Sequence, residues 1–457
     1  MFYQSTRGKT KNISFIQTVK MGLANDGGLL ISQYIPVIKE DLSQLNFREL
    51  TLYLMKTYIG DEIEESTLWK LIQKSYSSFD TEKVVPVVKK DGIYIAELFH
   101  GPTLAFKDIA LQFLGNLFEY ILQKEGRKMN ILGATSGDTG SAAIEGVRGK
   151  KNMNIFILYP YGKVSPIQQK QMTTVEEKNV FCIAIKGSFD DCQYIVKKIF
   201  SDIQFKQKYM LGAVNSINWT RILAQIIYYF YAYFQIHAKG SVCFSVPTGN
   251  FGNIFAGFIA KKMGLPIDKL ILATNENDIL SKFVNTGIYK KGKVTNTISP
   301  SMDIQIASNF ERYLYYLFDE NGEKIRQLMN TFSKYGEIKI NKQKLQTVQA
   351  DFLSAKATET ETIEEIRNFY KETGYILDPH TAVGVKVGRQ LRDKEKPLIC
   401  LATAHPAKFR KPVEKGTGRI PPIPPSLQNI EKKKERFTII DASFEQVKTF
   451  IEQYALR

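Results

Sequence analysis

At 457 residues, 44% hydrophobic and 24% charged, the chain has room for about two to three domains, and the balance excludes wholesale disorder and fibrous structure. Lys and Arg number 62 against 46 Asp and Glu, a formal net charge of +16, so nucleic acid, an anionic membrane and acidic metabolites are the partner classes to weigh. Four cysteines, none in a C-x-x-C, exclude a disulfide framework and imply a reducing compartment, while His100, His237, His380 and His405 stand too far apart for a short metal-ligand spacing, so no metal is expected.

Residues 1–12 are polar and basic, without the apolar run of a targeting segment, and the chain reads as cytoplasmic. Apolar residues at helical spacing predict helices over 42–58 and 63–76, with Gly60 and Asp61 between them. Short strands over 84–88 and 93–98 flank a turn at Lys90, Asp91 and Gly92. From about residue 107 helix and strand alternate. Helices are predicted over 109–122, 141–147, 166–175, 189–203, 219–236 and 254–263, and strands over 130–135, 154–159, 180–185, 210–214, 242–246 and 270–274. Ser188 and Asp191 occupy capping-box positions. Short, apolar, β-branched strands between helices suit a parallel sheet buried on both faces, hence a doubly wound α/β architecture.

The stretch 222–238 carries no Asp, Glu, Lys or Arg, but it falls short of the ~20 residues that span a bilayer and contains Gln225 and Gln235; it reads as a buried, Tyr-rich helix. Residues 276–370 are less regular, with helical stretches over 309–317 and 363–370, and read as an accessory insertion. A buried strand resumes over 398–402, and a stiff Pro-rich linker follows over 420–425. Then come a strand over 437–440 and a final helix with Ser443 at N-cap, Gln446 at N3, and Phe444, Val447, Ile451 and Tyr454 on one face. The basic excess concentrates only between residues 405 and 436, where nine Lys/Arg face three Glu; elsewhere it is a thin, solvated surface charge.

Several familiar sites are absent. Gly8-Lys9-Thr10 lacks the first glycine of a P-loop, since Tyr3 stands there; there is no G-x-G-x-x-G; and Ser136 has no glycine two residues before it. Four segments stand out instead. Ser245-Val246-Pro247-Thr248-Gly249-Asn250-Phe251-Gly252-Asn253 joins a strand to a helix, and its amides with the helix N-terminus make an anion cradle suited to phosphate. Gly133-Ala134-Thr135-Ser136-Gly137-Asp138-Thr139-Gly140-Ser141 makes a similar connection, with small hydroxyl residues suited to a carboxylate or phosphate. Within His100-Gly101-Pro102-Thr103-Leu104-Ala105-Phe106-Lys107-Asp108, Lys107 enters an apolar helix, where desolvation favours a neutral, nucleophilic amine. Ala402-Thr403-Ala404-His405-Pro406 sets a hydroxyl at the carboxyl end of the last buried strand, where α/β sites lie; His405 reads as structural.

These four motifs, in this order, resemble the threonine synthase family of pyridoxal 5'-phosphate (PLP) enzymes, in its longer fungal and bacterial branch. The resemblance covers nearly the whole chain, including Tyr3-Gln4-Ser5-Thr6-Arg7-Gly8, Gly22-Leu23-Ala24-Asn25-Asp26-Gly27-Gly28-Leu29, Pro300-Ser301-Met302-Asp303-Ile304-Gln305, Ser308-Asn309-Phe310-Glu311-Arg312 and Asp378-Pro379-His380-Thr381-Ala382. Asn25 stands where Pro is expected, and Asn253 where some relatives carry Asp. The resemblance implies PLP fold type II, tryptophan-synthase-β-like, with two parallel-type α/β domains, a helical N-terminal segment and an accessory insertion. It implies domains over 1–90, 91–405 (with a smaller subdomain about 108–215 and the insertion about 276–370) and 406–457.

The resemblance also implies roles. Lys107 forms the Schiff base with PLP and then moves protons, Phe106 packs beside the ring, and Gly249, Asn250, Phe251, Gly252 and Asn253 cradle the cofactor phosphate. Thr403 offers its hydroxyl to the pyridine nitrogen; Thr135, Ser136, Gly137, Asp138 and Thr139 hold the substrate carboxylate; and Asn215, Ser216, Asn218 and Arg221 hold the substrate phosphate. The implied reaction turns O-phospho-L-homoserine and water into L-threonine and phosphate, with PLP as electron sink. A monomer or small homo-oligomer acting on a small molecule, with no nucleic acid or membrane partner, is expected. A related PLP phospholyase or Ser/Thr dehydratase is the alternative. A basic nucleic-acid-binding protein is a remote one, supported only by the charge of +16.

Overall fold

The computed structural model describes residues 1–457, which form two compact units. The first comprises Met1–Ile72, Phe79–His100 and Ser216–Pro422; the second Gln73–Ser78, Gly101–Asn215 and Ile423–Arg457.

The first unit is built on a six-stranded sheet in the order Phe352–Lys356, Ile267–Thr274, Val242–Pro247, Leu398–Ala402, Ile93–Glu97 and Val87–Lys90. All neighbours run parallel except the last pair, where the lysine-bearing strand Val87–Lys90 closes an edge antiparallel. Strands Val242–Pro247 and Leu398–Ala402 are buried at every residue, which is why they read as unbroken apolar runs. The strand Phe352–Lys356, from the region that reads as an insertion in sequence, pairs directly with Ile267–Thr274. The helix Trp219–Gln235 is buried from Trp219 through Ala232, and no helix is long and apolar enough to cross a membrane. At the N-terminus, Tyr3–Ser5 pairs antiparallel with Leu30–Ser32, and capping boxes at Ser14/Gln17 and Asn46/Glu49 start the helices Phe15–Met21 and Phe47–Ile59.

The second unit is a five-stranded parallel sheet in the order Thr438–Asp441, Val180–Lys186, Met153–Pro160, Met129–Ala134 and Leu211–Gly212. The central strand Met153–Pro160 is buried throughout. Ser188 and Asp191 form the capping box read from sequence, and Ser443 caps the helix Phe444–Tyr454 through the Gln446 amide. The apolar face of that last helix packs as expected, with Phe444 on the same core as Val447 and Ile451 and the Tyr454 ring 5.1 Å from that of Phe181. Val447 and Ile451 are fully buried, whereas Tyr454 is 41% exposed and Phe450 meets Phe156 and Phe181 edge-on at 6.4 and 6.3 Å. The four cysteines are free and buried.

Candidate active site

In the second unit, the loop before the helix Lys107–Glu125 is closed by Asp108. Its carboxylate accepts hydrogen bonds from Thr103 N (2.8 Å) and Thr103 Oγ1 (2.6 Å). A Cβ built on Gly101 would lie 2.4 Å from Asp108 Cβ, so this fold-back requires glycine. Leu104 is held at φ +61°, a conformation that costs a leucine energy, and such strain concentrates at functional loops. The turn delivers Lys107 as the first helical residue, 8% exposed. Its Nζ lies 3.7 Å from Asp138 Oδ2 and 5.0 Å from the Phe106 ring centroid.

Asp138 opens the helix Asp138–Val147, where the helix dipole supports its charge, and its Oδ1 accepts from Gln168 Nε2 at 2.7 Å. Gln168 escaped sequence reading because its partner is thirty positions away. The 135–139 loop is divided in use. Thr135 is buried, and its Oγ1 accepts from the amides of Gly137 (3.1 Å) and Gly140 (2.9 Å), so this hydroxyl closes the loop. Ser136 is exposed and Thr139 half-buried; Gly137 is buried against the Gln168 amide, 2.7 Å from where its Cβ would be.

In the first unit, the strand Val242–Pro247 feeds the 248–251 turn and the helix Gly252–Lys262. Phe251 sits at its N-cap with φ +62°, pinned by packing on Phe310 at 5.3 Å. Asn250 is exposed, and its carbonyl accepts from Asn309 N (3.0 Å) and Nδ2 (3.2 Å). A Cβ on Gly249 would meet Ser301 O at 2.5 Å, and one on Gly252 would meet Asn309 Nδ2 at 3.1 Å. Asn253 Oδ1 accepts from Tyr228 Oη (2.6 Å) and Tyr229 Oη (3.0 Å), while its Nδ2 is buried without a partner. An orphaned donor at a helix N-terminus is the feature an anion satisfies.

Thr403 follows the strand Leu398–Ala402, is buried, and donates its amide to Thr381 Oγ1 at 3.3 Å. His405 is structural: burial, with His100 nearby, pushes its pKa down to about 4, and its Nδ1 accepts from Ala407 N.

Of the remaining residues, Asn215 lies in the second unit and Ser216, Asn218 and Arg221 in the first. Ser216 Oγ meets Ser308 Oγ at 2.9 Å. Asn218 is the N-cap of the Trp219–Gln235 helix; its Oδ1 accepts from Thr220 N and its Nδ2 donates to Val19 O, so both ends are committed to structure. Arg221 is 3% exposed, and its Nε and Nη1 have no partner; burial pushes its pKa down to about 10.

A family model described as pyridoxal-phosphate dependent enzyme matches residues 82–330, so the fold and the lysine-bearing turn define a PLP-dependent enzyme, a lyase. Models for the threonine synthase N terminus and the threonine synthase C-terminal region match residues 2–76 and 381–451. Threonine synthase from Saccharomyces cerevisiae is 46% identical, with 99% of this chain and 97% of that protein covered, and threonine synthase from Pseudomonas aeruginosa is 43% identical, covering 100% and 99%. The crystal structure of PLP-bound threonine synthase from Brucella melitensis superposes with a TM-score of 0.97 at 42% identity, over 100% of both chains. The chain belongs to the threonine synthase family.

The residues fit PLP. The 249–253 loop offers helix N-terminal amides and the orphaned Asn253 Nδ2 to a phosphate, and Lys107 offers an amine beside an aromatic ring. Gly252→Val is expected to weaken PLP binding by roughly tenfold or more, because a branched side chain must displace the Asn309 amide 3.1 Å away; titration of the apoenzyme measures it. Thr403→Val removes a hydroxyl at constant shape. With Thr403 serving the pyridine nitrogen and Lys107 the point of attachment, as the resemblance implies, losing one net hydrogen bond, worth about 1 kcal/mol, should weaken PLP binding several-fold and leave the cofactor attached, as a shifted visible band in an otherwise loaded enzyme would show.

Proposed function

We propose that the chain converts O-phospho-L-homoserine and water to L-threonine and phosphate. Arg221 carries this reading. A buried guanidinium with two unpartnered donors is costly to keep, and a phosphorylated substrate explains it where the substrate of a dehydratase would not. Lys107 would hold PLP through its amine, residues 249–253 through its phosphate, Thr403 through its pyridine nitrogen, and Phe106 beside its ring. When bound, the cofactor supplies an electron sink for charge formed on the substrate.

The chain's own residues do the rest. Lys107 Nζ takes a proton from Cα, and removal of a Cβ proton follows as the γ-phosphate departs. Asp138 Oδ2, 3.7 Å from Nζ, stabilises the lysine in its protonated state between transfers. Residues 136–139 orient the substrate carboxylate, with Thr135 holding their loop in shape. Arg221, with Asn215 and Ser216, binds the substrate phosphate and the charge it gains on leaving, and Asn218 sets the start of their helix. Lys107 returns one proton to Cγ and, after water adds its hydroxyl at Cβ, one to Cα, while the water's other proton goes to the released phosphate. The enzyme acts in the cytoplasm, as a monomer or small homo-oligomer, on this small molecule rather than on nucleic acid or membrane.

Incubation with O-phospho-L-homoserine tests the reading: equal amounts of threonine and phosphate are expected. Phosphate with 2-oxobutyrate would make the chain a phospholyase, and turnover of serine or threonine alone a dehydratase.

A further inference from the structure

Asp378 has no part in the reading above, yet its carboxylate takes part in four hydrogen bonds. It caps the helix Pro379–Leu391, with a side chain fully buried. Its Oδ1 accepts from His380 N (2.9 Å) and lies 2.8 Å from His380 Nδ1; its Oδ2 accepts from Thr381 N (3.2 Å) and from the Thr381 hydroxyl. Helix capping alone uses the two amides. The two side-chain bonds lead elsewhere.

The first arm runs through His380. Nε2 accepts from Ser301 N at 3.2 Å, which leaves Nδ1 to donate to Asp378. Ser301 is thereby fixed, and its carbonyl is the atom a Cβ on Gly249 would meet at 2.5 Å. The wall of the 249–253 loop is set by this histidine. The second arm runs through Thr381. Its hydroxyl donates to Asp378 and accepts from Thr403 N, which fixes the backbone from which the Thr403 side chain projects.

We propose that Asp378 is a positioning residue that sets both ends of the cofactor site at once, the phosphate end through His380 and Ser301 and the pyridine end through Thr381 and Thr403. The proposal rests on the assignment of PLP to the 249–253 loop and Thr403. A carboxylate suits the task because all four groups facing it are donors, and an ionised carboxylate is acceptor-only. An amide at 378 would turn its NH₂ toward one pair of them.

The test uses Asp378→Asn, which retains a good cap, with two variants that each cut one arm. His380→Asn can still donate to residue 378 but cannot reach Ser301. Thr381→Val keeps the shape and loses the hydroxyl. Apoenzyme affinity for PLP, the visible band of the bound cofactor and the phosphorus NMR shift of its phosphate are read for each, after circular dichroism has established the fold. Asp378→Asn should weaken PLP affinity roughly tenfold, the loss of about two net hydrogen bonds, and move both spectroscopic signals. His380→Asn should move the phosphorus signal alone, and Thr381→Val the visible band alone. Equal movement of both signals by either single-arm variant, or an Asp378→Asn enzyme that binds PLP as wild type does, would overturn the proposal. Gly252→Val and Thr403→Val separate the two levels. If they weaken PLP binding while Asp378→Asn does not, only the positioning role fails; if they too bind PLP normally, the site assignment itself is wrong.

Discussion

Lys107→Ala is expected to abolish turnover, a loss of at least ~10³-fold in kcat, because in the proposed reading the same amine attaches the cofactor and carries the protons. The fold should survive. The substitution strips a side chain whose ionic contact, to Asp138 at 3.7 Å, is long, and Asp138 keeps both the Gln168 hydrogen bond at 2.7 Å and the first turn of its own helix. Lys107→Ala should therefore match the wild-type circular dichroism and melt within a few degrees of it. It should lose the visible band of attached PLP, and hydride reduction should leave no cofactor on the chain. Lys107→Arg separates charge from chemistry: it can keep the contact to Asp138 but cannot condense with an aldehyde, and it should be as inactive as the alanine variant. Measurable threonine formation by either variant would remove Lys107 from the chemistry.

The turn that presents this lysine was legible from sequence because its signals are local. Gly101, the apolar run after Lys107 and the strand–loop–helix order all lie within one window. The capping box at Ser188 and the N-cap at Ser443 were legible for the same reason. What escaped was non-local. Thr438–Asp441 lies beside Val180–Lys186, some 250 positions away, and nothing in either strand names its partner. The strand Phe352–Lys356 joins the main sheet although its surroundings are polar enough to read as an insertion. Leu104 and Phe251 adopt positive φ that neither residue type favours, and only packing such as Phe251 on Phe310 holds them there. Asn218 stands directly before an apolar helix, a cap position, and its Oδ1 caps that helix through Thr220 N while its Nδ2 donates to Val19 O. Asn309 lies inside a motif, but its work is defined by the distant carbonyls of Ser216 and Asn250; Asp378 bonds only to His380 and Thr381, and it is their further bonds, to Ser301 and Thr403, that are non-local.

Arg221→Met should move stability and activity in opposite directions. A fully buried guanidinium whose Nε and Nη1 find no partner has lost its hydration without replacement, and the fall of its pKa to about 10 has the same cause. Methionine fills similar space and needs no partner. The variant should thus be more stable than wild type in the absence of substrate, by on the order of 1 kcal/mol, seen as a higher melting temperature. If instead Arg221 served the helix Trp219–Gln235 structurally, its removal would lower the melting temperature. Activity should fall. The substrate phosphate would lose a charge-assisted contact that tightens as the phosphate leaves, worth at least ~2 kcal/mol of transition-state stabilisation, or about 30-fold in kcat/KM. Cofactor loading and its visible band should stay as in wild type, because the 249–253 loop and its Asn253 donor are intact. Raised phosphate or sulfate should stabilise the wild-type protein against heat and leave Arg221→Met unmoved, since an anion bound only by the native state stabilises it in proportion to its occupancy. A variant that melts lower, or one that turns over phosphohomoserine at the wild-type rate, would return Arg221 to a structural role and leave the substrate phosphate to be held by other groups.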